Sequence, residues 1–157
     1  MNIRNQVVIY VISVSLILGL FGCGSSSSLE KANTAYDLYQ FHSALEMYRK
    51  LVSKERDKRL KADITYKIGH CYRQIGDFTK AENYYTRASK LPTIDPEVFY
   101  YRADMLKRLE KYEDAIIAFK DFAREMPGDP RAEIGIKSCE DAIKWKNDKT
   151  RYVVDNF

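Results

Sequence analysis

Small and aromatic residues recur along this chain at intervals of three and four residues, and the whole arrangement returns after 34 residues. That interval separates Ala81 from Ala115, which occupy the same place in two copies of one frame. Around Ala81 the frame consists of Gly69, Tyr72, Ile75, Phe78, Tyr85 and Ala88, and around Ala115 it consists of Ala103, Leu106, Leu109, Tyr112, Phe119 and Phe122. A looser copy surrounds Ala44, with Ala32, Ala35, Leu38, Phe41, Tyr48 and Leu51. Such spacings predict two amphipathic helices in each copy.

Each copy therefore reads as a helix, a tight turn and a second helix. In the second copy Gly76 supplies the turn, because glycine tolerates a positive φ, and Gly69 and Ala81 are small where the paired helices cross. Pro127 closes the third copy. This frame resembles the tetratricopeptide repeat (TPR), a helix–turn–helix unit of about 34 residues. It predicts an all-α TPR solenoid whose three repeats span about 29–58, 62–95 and 96–129.

One more helix follows the third repeat and is predicted to cap the solenoid over residues 130–146. Its apolar stripe consists of Ala132, Ile136, Cys139, Ala142 and Ile143. A last repeat needs such a cap, because its outer face would otherwise leave apolar surface in water. We expect Trp145 to cover this packing rather than to stack on a ligand. Residues 147–157 are predicted to form an extended tail.

The N-terminus carries the features of an export signal. Arg4 precedes an apolar run from Val7 to Leu20, after which come Phe21, Gly22 and Cys23. This resembles a bacterial lipoprotein signal peptide, which implies a signal peptide over 1–22, lipidation of Cys23 and a flexible spacer over 23–28. An uncleaved membrane anchor and a plain secretory signal are the alternatives, although the run is short for a spanning helix, which needs about 20 residues.

The net charge is +4 at pH 7, with acidic and basic residues interspersed, so the basic stripe typical of nucleic-acid binding is not expected. We interpret the charged run from Lys54 to Lys61 as a solvated loop between repeats, because Glu55 and Asp57 interrupt its positive charge. A basic patch touching anionic lipid is the alternative. Cys71 and Cys139 fall about two repeats apart, which predicts two separate buried thiols instead of a disulfide.

No catalytic constellation is visible in the sequence. His42 and His70 have no serine or cysteine suitably spaced for nucleophilic catalysis, and the neighbours His70 and Cys71 point about 100° apart on a helix. The sequence offers no glycine-rich phosphate loop, zinc pattern or paired-carboxylate signature. We therefore expect a protein that is not an enzyme and that uses no cofactor, metal or small-molecule substrate.

The first helix of each repeat lines the concave side of a TPR solenoid, which places the candidate binding residues. They are Tyr36, Tyr66, His70, Arg73, Tyr100, Asp104, Lys107 and Arg108. Tyrosines interleaved with cations suit a protein or peptide partner, because rings supply contact area and cations pair with carboxylates. Packing between repeats is the alternative for Tyr66 and Tyr100, and it is the favoured role for Tyr101. Clamping of a chaperone's C-terminal carboxylate is not expected, because Tyr66 and His70 replace the required Lys and Asn.

The C-terminal third carries a more specific resemblance, in the segments 111–122, 127–132, 138–145 and 151–154. These resemble the PorE-like family of Bacteroidota envelope lipoproteins, in which a TPR module precedes a β-propeller and an OmpA-like peptidoglycan-binding domain. The resemblance implies a lipid-anchored adaptor in a cell-envelope complex, such as type IX secretion or gliding machinery. It also implies the periplasmic face of the outer membrane, with the inner membrane less favoured. The alternatives are a structural tether, a truncated homologue of such proteins, or a TPR lipoprotein of outer-membrane biogenesis.

Overall fold

The computed structural model of the chain describes residues 24–92 and 95–148. Seven α-helices occupy most of these residues. They are α1 (Gly24–Asp37), α2 (Phe41–Val52), α3 (Lys58–Ile75), α4 (Phe78–Ser89), α5 (Glu97–Arg108), α6 (Tyr112–Glu125) and α7 (Pro130–Asn147). The described ranges contain no strand, and the all-α fold with three helix pairs and a last single helix is confirmed.

The turns inside the three helix pairs share one backbone conformation. Tyr39, Gly76 and Glu110 have φ values of 60°, 90° and 57°, all in the left-handed region. In each turn the following residue donates its N–H to the carbonyl five residues back, as Asp77 does to Tyr72 at 3.0 Å. This bond satisfies a carbonyl that the helix end would otherwise leave unpaired. The turn geometry is therefore the same whether or not glycine is present.

Three of the helices are capped at their N-terminus by an aspartate. Asp57 accepts the N–H groups of Arg59 and Leu60 at the start of α3, and Asp77 accepts the N–H of Lys80 at the start of α4. Asp129 does the same for α7, whose first residue is a proline. Each such cap is typically worth about 1 kcal/mol of stability.

The helices stack in chain order, each packing against the next, and α5 also contacts α7. The largest buried side chains come from the second helix of each pair: Tyr48 in α2, Tyr85 in α4, and Phe119 and Phe122 in α6. These positions belong to the aromatic part of the repeated frame, which therefore supplies much of the core, although the frame residue Leu38 is 62 % exposed.

Close approach of the helices depends on two glycines. A Cβ placed on Gly69 would lie 2.9 Å from the ring of Tyr85, and one on Gly135 would lie 2.5 Å from the ring of Phe119. Both distances are shorter than van der Waals contact allows. The ring of the second helix therefore lies directly against the bare backbone of its neighbour, as predicted for Gly69.

Two expectations about the ends of the solenoid are wrong. Residues 24–28, predicted as a flexible spacer, belong to helix α1, because extending an existing helix adds hydrogen bonds without a new nucleation cost. Trp145, expected to cover the cap packing, is 71 % exposed. It follows the buried Cys139 by six residues, and this spacing rotates it about 240° around the helix, away from the packed face.

Several other predictions concern residues outside the described part of the chain. The signal peptide over 1–22, the lipidation site Cys23 and the tail beyond residue 148 all lie there. Among the helices that are described, none has the length and apolar character needed to cross a membrane. Cys71 and Cys139 are both buried and free, so the expectation of two separate thiols is confirmed.

The left-handed turns predict opposite effects of glycine at two equivalent positions. Replacing Glu110 with glycine should raise the free energy of unfolding by up to about 1 kcal/mol, because a side chain is disfavoured at positive φ. Gly76→Ala should lower it by about the same amount. As a matched control, Lys90→Gly alters an exposed helix end whose φ is −89° and should bring no gain. Urea denaturation measures the free energy of unfolding of all three variants. A Glu110→Gly variant that loses stability as Lys90→Gly does would contradict the left-handed conformation at residue 110.

Candidate functional site

The first helices α1, α3 and α5 present one continuous surface, which we call the first-helix face. Residues 34 positions apart touch across it. The hydroxyl of Tyr36 lies 3.1 Å from Nδ1 of His70, and the ammonium of Lys67 donates to Oδ1 of Asn33 at 3.1 Å. The period of the sequence therefore reappears as direct contact between equivalent positions of neighbouring repeats.

His70 lies at the centre of an aromatic cluster on this face. Its ring centroid is 4.7 Å from that of Tyr101, 5.1 Å from Tyr66, 6.1 Å from Tyr85 and 6.2 Å from Tyr36. All four tyrosines meet the imidazole edge to face, an arrangement favoured by the charge distribution of aromatic rings. We call these five residues the His70 cluster.

Nδ1 of His70 is a hydrogen-bond acceptor. Nη2 of Arg73 lies 3.3 Å from it, on the same atom that Tyr36 approaches. A guanidinium can only donate, so Nδ1 carries no proton. Burial, followed by the charge of Arg73, lowers the pKa of His70 to about 4, while Glu97 opposes this fall. The ring is therefore neutral at physiological pH.

Arg73 is held without an acidic partner. Its guanidinium lies 4.6 Å from the centroid of Tyr101, and it forms no ion pair with any carboxylate of the described residues. Its Nε and the neighbouring hydroxyl of Tyr85 are both buried, so an incoming partner cannot reach these two atoms. What the face presents is the half-buried guanidinium of Arg73 as a positioned cation without a carboxylate.

The C-terminal part of the face is more fully paired. Arg131 of α7 makes two hydrogen bonds to the carboxylate of Glu97, at 2.9 and 2.5 Å, and its guanidinium lies 4.6 Å from the centroid of Tyr100. Tyr100 also packs on Phe119 and Phe122. Further along α5, Arg108 donates to Asp104 at 2.9 Å. This half of the face is tied to the cap helix and has fewer free groups.

The structure brings half of the predicted site residues into contact. Tyr36, Tyr66 and Arg73 meet around His70, whereas Tyr100 lies under Arg131 in the packing against α6 and α7. Of the other three predicted residues, Asp104 and Arg108 form an ion pair with each other. Lys107 forms no ion pair with any described residue.

Arg131 is the residue that sequence reasoning missed. It lies in the cap helix, where its guanidinium covers Tyr100 and binds Glu97. The sequence contains a signal for this contact, because Arg131 follows Glu97 by 34 residues, one repeat length. No cluster of potential metal ligands occurs among the described residues.

The low pKa of His70 predicts that the folded protein loses stability as the pH falls from about 6.5 to about 4. In this window His70 is protonated in the unfolded chain but stays neutral in the folded protein, so the free energy of unfolding decreases. We expect roughly 2 kcal/mol from this group, less than the full shift implies because the ring is partly exposed.

Urea denaturation across this window measures the effect. His70→Gln should remove this part of the pH dependence, whereas the matched variant His42→Gln, at an exposed position, should retain it. A His70 pKa at its ordinary value in an NMR titration would contradict the assignment.

The family model of the tetratricopeptide repeat matches residues 29–93 and again residues 66–130. A comparison with curated proteins found no match. The chain is similar to the Arabidopsis OM64 TPR domain, with a TM-score of 0.64 and 20 % identity over 74 % of this chain and 94 % of that chain.

Two further solved structures are described with peptides. The second TPR domain of human RPAP3, in complex with an HSP70 peptide, has a TM-score of 0.64 and 18 % identity over 74 % of this chain and 98 % of that chain. YrrB, a TPR protein with an unusual peptide-binding site, has a TM-score of 0.65 and 17 % identity over 78 % and 61 % of the respective chains. Such identities show a shared fold alone. The two family matches span well over half of the chain, which therefore belongs to the tetratricopeptide repeat family.

Proposed function

We propose that this protein is a membrane-anchored adaptor whose first-helix face binds an extended segment of a protein partner in a bacterial cell-envelope complex. The observation that carries the proposal is Arg73, whose half-buried guanidinium lies over Tyr101 with no acidic partner among the described residues. An arginine positioned by an aromatic ring is a frequent centre of binding energy at protein interfaces. The family supports the coarser part, since TPR domains typically bind proteins.

The chemistry of the face favours a segment that carries carbonyl or carboxylate oxygens. Arg73 supplies donors, Tyr101 supplies an apolar ring beside them, and Lys107 adds a second cation one repeat further along. RPAP3 in its complex with an HSP70 peptide and YrrB with its peptide-binding site are folds of the same kind. They support binding of a peptide by this fold.

The anchor and the location complete the proposal. The apolar run from Val7 to Leu20 and the following Cys23 support attachment through lipid, and helix α1 begins immediately afterwards at Gly24. The binding face would then lie close to a membrane. We propose the periplasmic side of the outer membrane and, from the PorE-like resemblance, a role in type IX secretion or gliding machinery.

Removing the positive charge from the face should release the partner. The variants Arg73→Gln and Lys107→Gln, each shown to be folded by urea denaturation, should reduce recovery of the cross-linked partner by about tenfold, the usual effect of truncating an interface arginine. The control Lys120→Gln removes an exposed cation from α6, away from the first-helix face, and should leave recovery unchanged. Equal recovery from all variants would overturn the binding face and favour a structural tether.

Replacing Cys23 with serine tests the anchor separately. If the thiol accepts a diacylglycerol, the variant should lose incorporation of a labelled fatty acid, because no other cysteine of the chain is accessible: Cys71 and Cys139 are buried. A matched Cys71→Ser variant should remain labelled. Fatty-acid labelling that persists in Cys23→Ser would contradict lipidation, and absence of label in the parent chain would favour an uncleaved anchor or a plain secretory signal.

A further inference from the structure

A groove of about 590 Å³ lies between α1 and α2 at the start of the solenoid. It is lined by Ser28, Lys31, Met47, Lys50, Leu51, Lys54 and Glu55. The groove lies at the N-terminal end of the described part of the solenoid. We call this surface the α1–α2 groove. Its floor is apolar and its rim carries three lysines and one carboxylate.

The three lysines of the rim are free of ion pairs. Each side-chain ion pair among the described residues joins residues numbered 63 or higher, from Asp63 and Lys67 to Glu110 and Lys146. Seven cations from Lys67 to Lys146 form such ion pairs, whereas no cation of the first helix pair does. The rim lysines therefore leave uncompensated positive charge around the groove, which a bound anion would neutralise.

The acidic residues near the groove are directed elsewhere. Oε1 of Glu55 accepts the backbone N–H groups of Arg56 and Asp57, both at 2.8 Å. Oδ1 of Asp57 accepts N–H groups at the start of α3. The two carboxylates that interrupt the basic run therefore bind the backbone and form no ion pair with the rim lysines. The interpretation of the run as a solvated loop stays a prediction, and a contact of Lys54 with an anion is the alternative.

The position of the groove indicates which anion covers it. Lys31 lies seven residues after Gly24 in the same helix, about 10 Å along its axis. The apolar run from Val7 to Leu20 ends just before that helix. A membrane held by this run, or by a lipid on Cys23, would lie about one Debye length from the lysines. Attachment in this way gives a high effective concentration, so weak contacts suffice.

We propose that the α1–α2 groove binds the phosphate-bearing headgroups of anionic lipids in the membrane to which the chain is attached. The ammonium groups of Lys31, Lys50 and Lys54 contact the headgroup phosphates, while Met47 and Leu51 face the upper acyl region. The proposal rests on the proposed membrane attachment. It orients α1 and α2 towards the lipid and leaves the first-helix face of the later repeats available to a partner.

Lysine footprinting of the full chain in vesicles tests the contact. The chain is reconstituted in phosphatidylcholine, alone or mixed with phosphatidylglycerol, and acetylated with a water-soluble reagent. Phosphatidylglycerol should slow acetylation of the three rim lysines by roughly fivefold each, as expected for a basic residue at an anionic surface. High salt should reverse the effect. Lys120 and Lys137, exposed on α6 and α7, should react equally in both vesicles.

A charge-removing variant and two further conditions complete the test. Lys50→Gln with Lys54→Gln should abolish protection of Lys31, whereas the control Lys120→Gln with Lys137→Gln should preserve it. Equal acetylation rates in the two vesicles would overturn the headgroup site. Protection in detergent that grows with protein concentration would overturn it in favour of a second copy of the chain, and protection by inorganic phosphate alone would replace the lipid with a free phosphate.

Vesicle flotation separates this site from the anchor. Flotation with phosphatidylcholine reports attachment alone, because that lipid carries no net charge for the lysines to recognise. A chain that floats with phosphatidylcholine but shows unprotected lysines with phosphatidylglycerol would overturn the groove site and leave the anchor intact. A chain that fails to float with phosphatidylcholine would overturn the anchor, and acetylation with phosphatidylglycerol vesicles would still decide the groove site.

Discussion

The distance at which paired helices can cross governs this structure. Tyr85 packs directly on the backbone at Gly69, where a Cβ would be only 2.9 Å away, and Phe119 packs on Gly135 even more closely. Each ring fills a space that exists only because its neighbour has no side chain. Since core packing tolerates neither voids nor overlap, this fit sets the geometry of the second helix pair and of the contact between the third pair and the cap helix. The ring of Tyr85 also stacks on Tyr101 of the next repeat.

The repeated geometry creates the candidate site. Once successive pairs are related by the same displacement, residues 34 apart become neighbours, which explains the contacts of Tyr36 with His70 and of Glu97 with Arg131. Partial burial in the cluster around His70 lowers the pKa of its imidazole and keeps the ring neutral. The cluster also leaves Arg73 next to an aromatic ring with no carboxylate to neutralise it. Packing and binding capacity are therefore consequences of one arrangement.

Charge is distributed unevenly along the solenoid, and this distribution separates two surfaces. From Lys67 onwards several surface cations form ion pairs, and the cap helix joins the third repeat through Arg131, Glu97 and Asp129. In the first pair, Lys31, Lys50 and Lys54 surround an apolar groove without such partners. A protein attached at its N-terminus would present these two regions to different surroundings, one to lipid and the other to a partner.

The repeated frame was sufficient to predict the helix pairs, their order and most of the core, because periodicity identifies the face of a helix that is buried. It could not reveal that Tyr39 and Glu110 adopt the left-handed conformation of Gly76, since tertiary packing outweighs the local preference of a turn residue. Nor could it show that Trp145 is exposed while Arg131 covers Tyr100. The amino-acid sequence by itself determined a helical repeat with small residues at the crossings. Only the tertiary structure decided which tyrosines pack, which cations stay unpaired and that the pKa of His70 is lowered. The physical reason is that these properties depend on distances between helices, which the periodicity of the sequence does not contain.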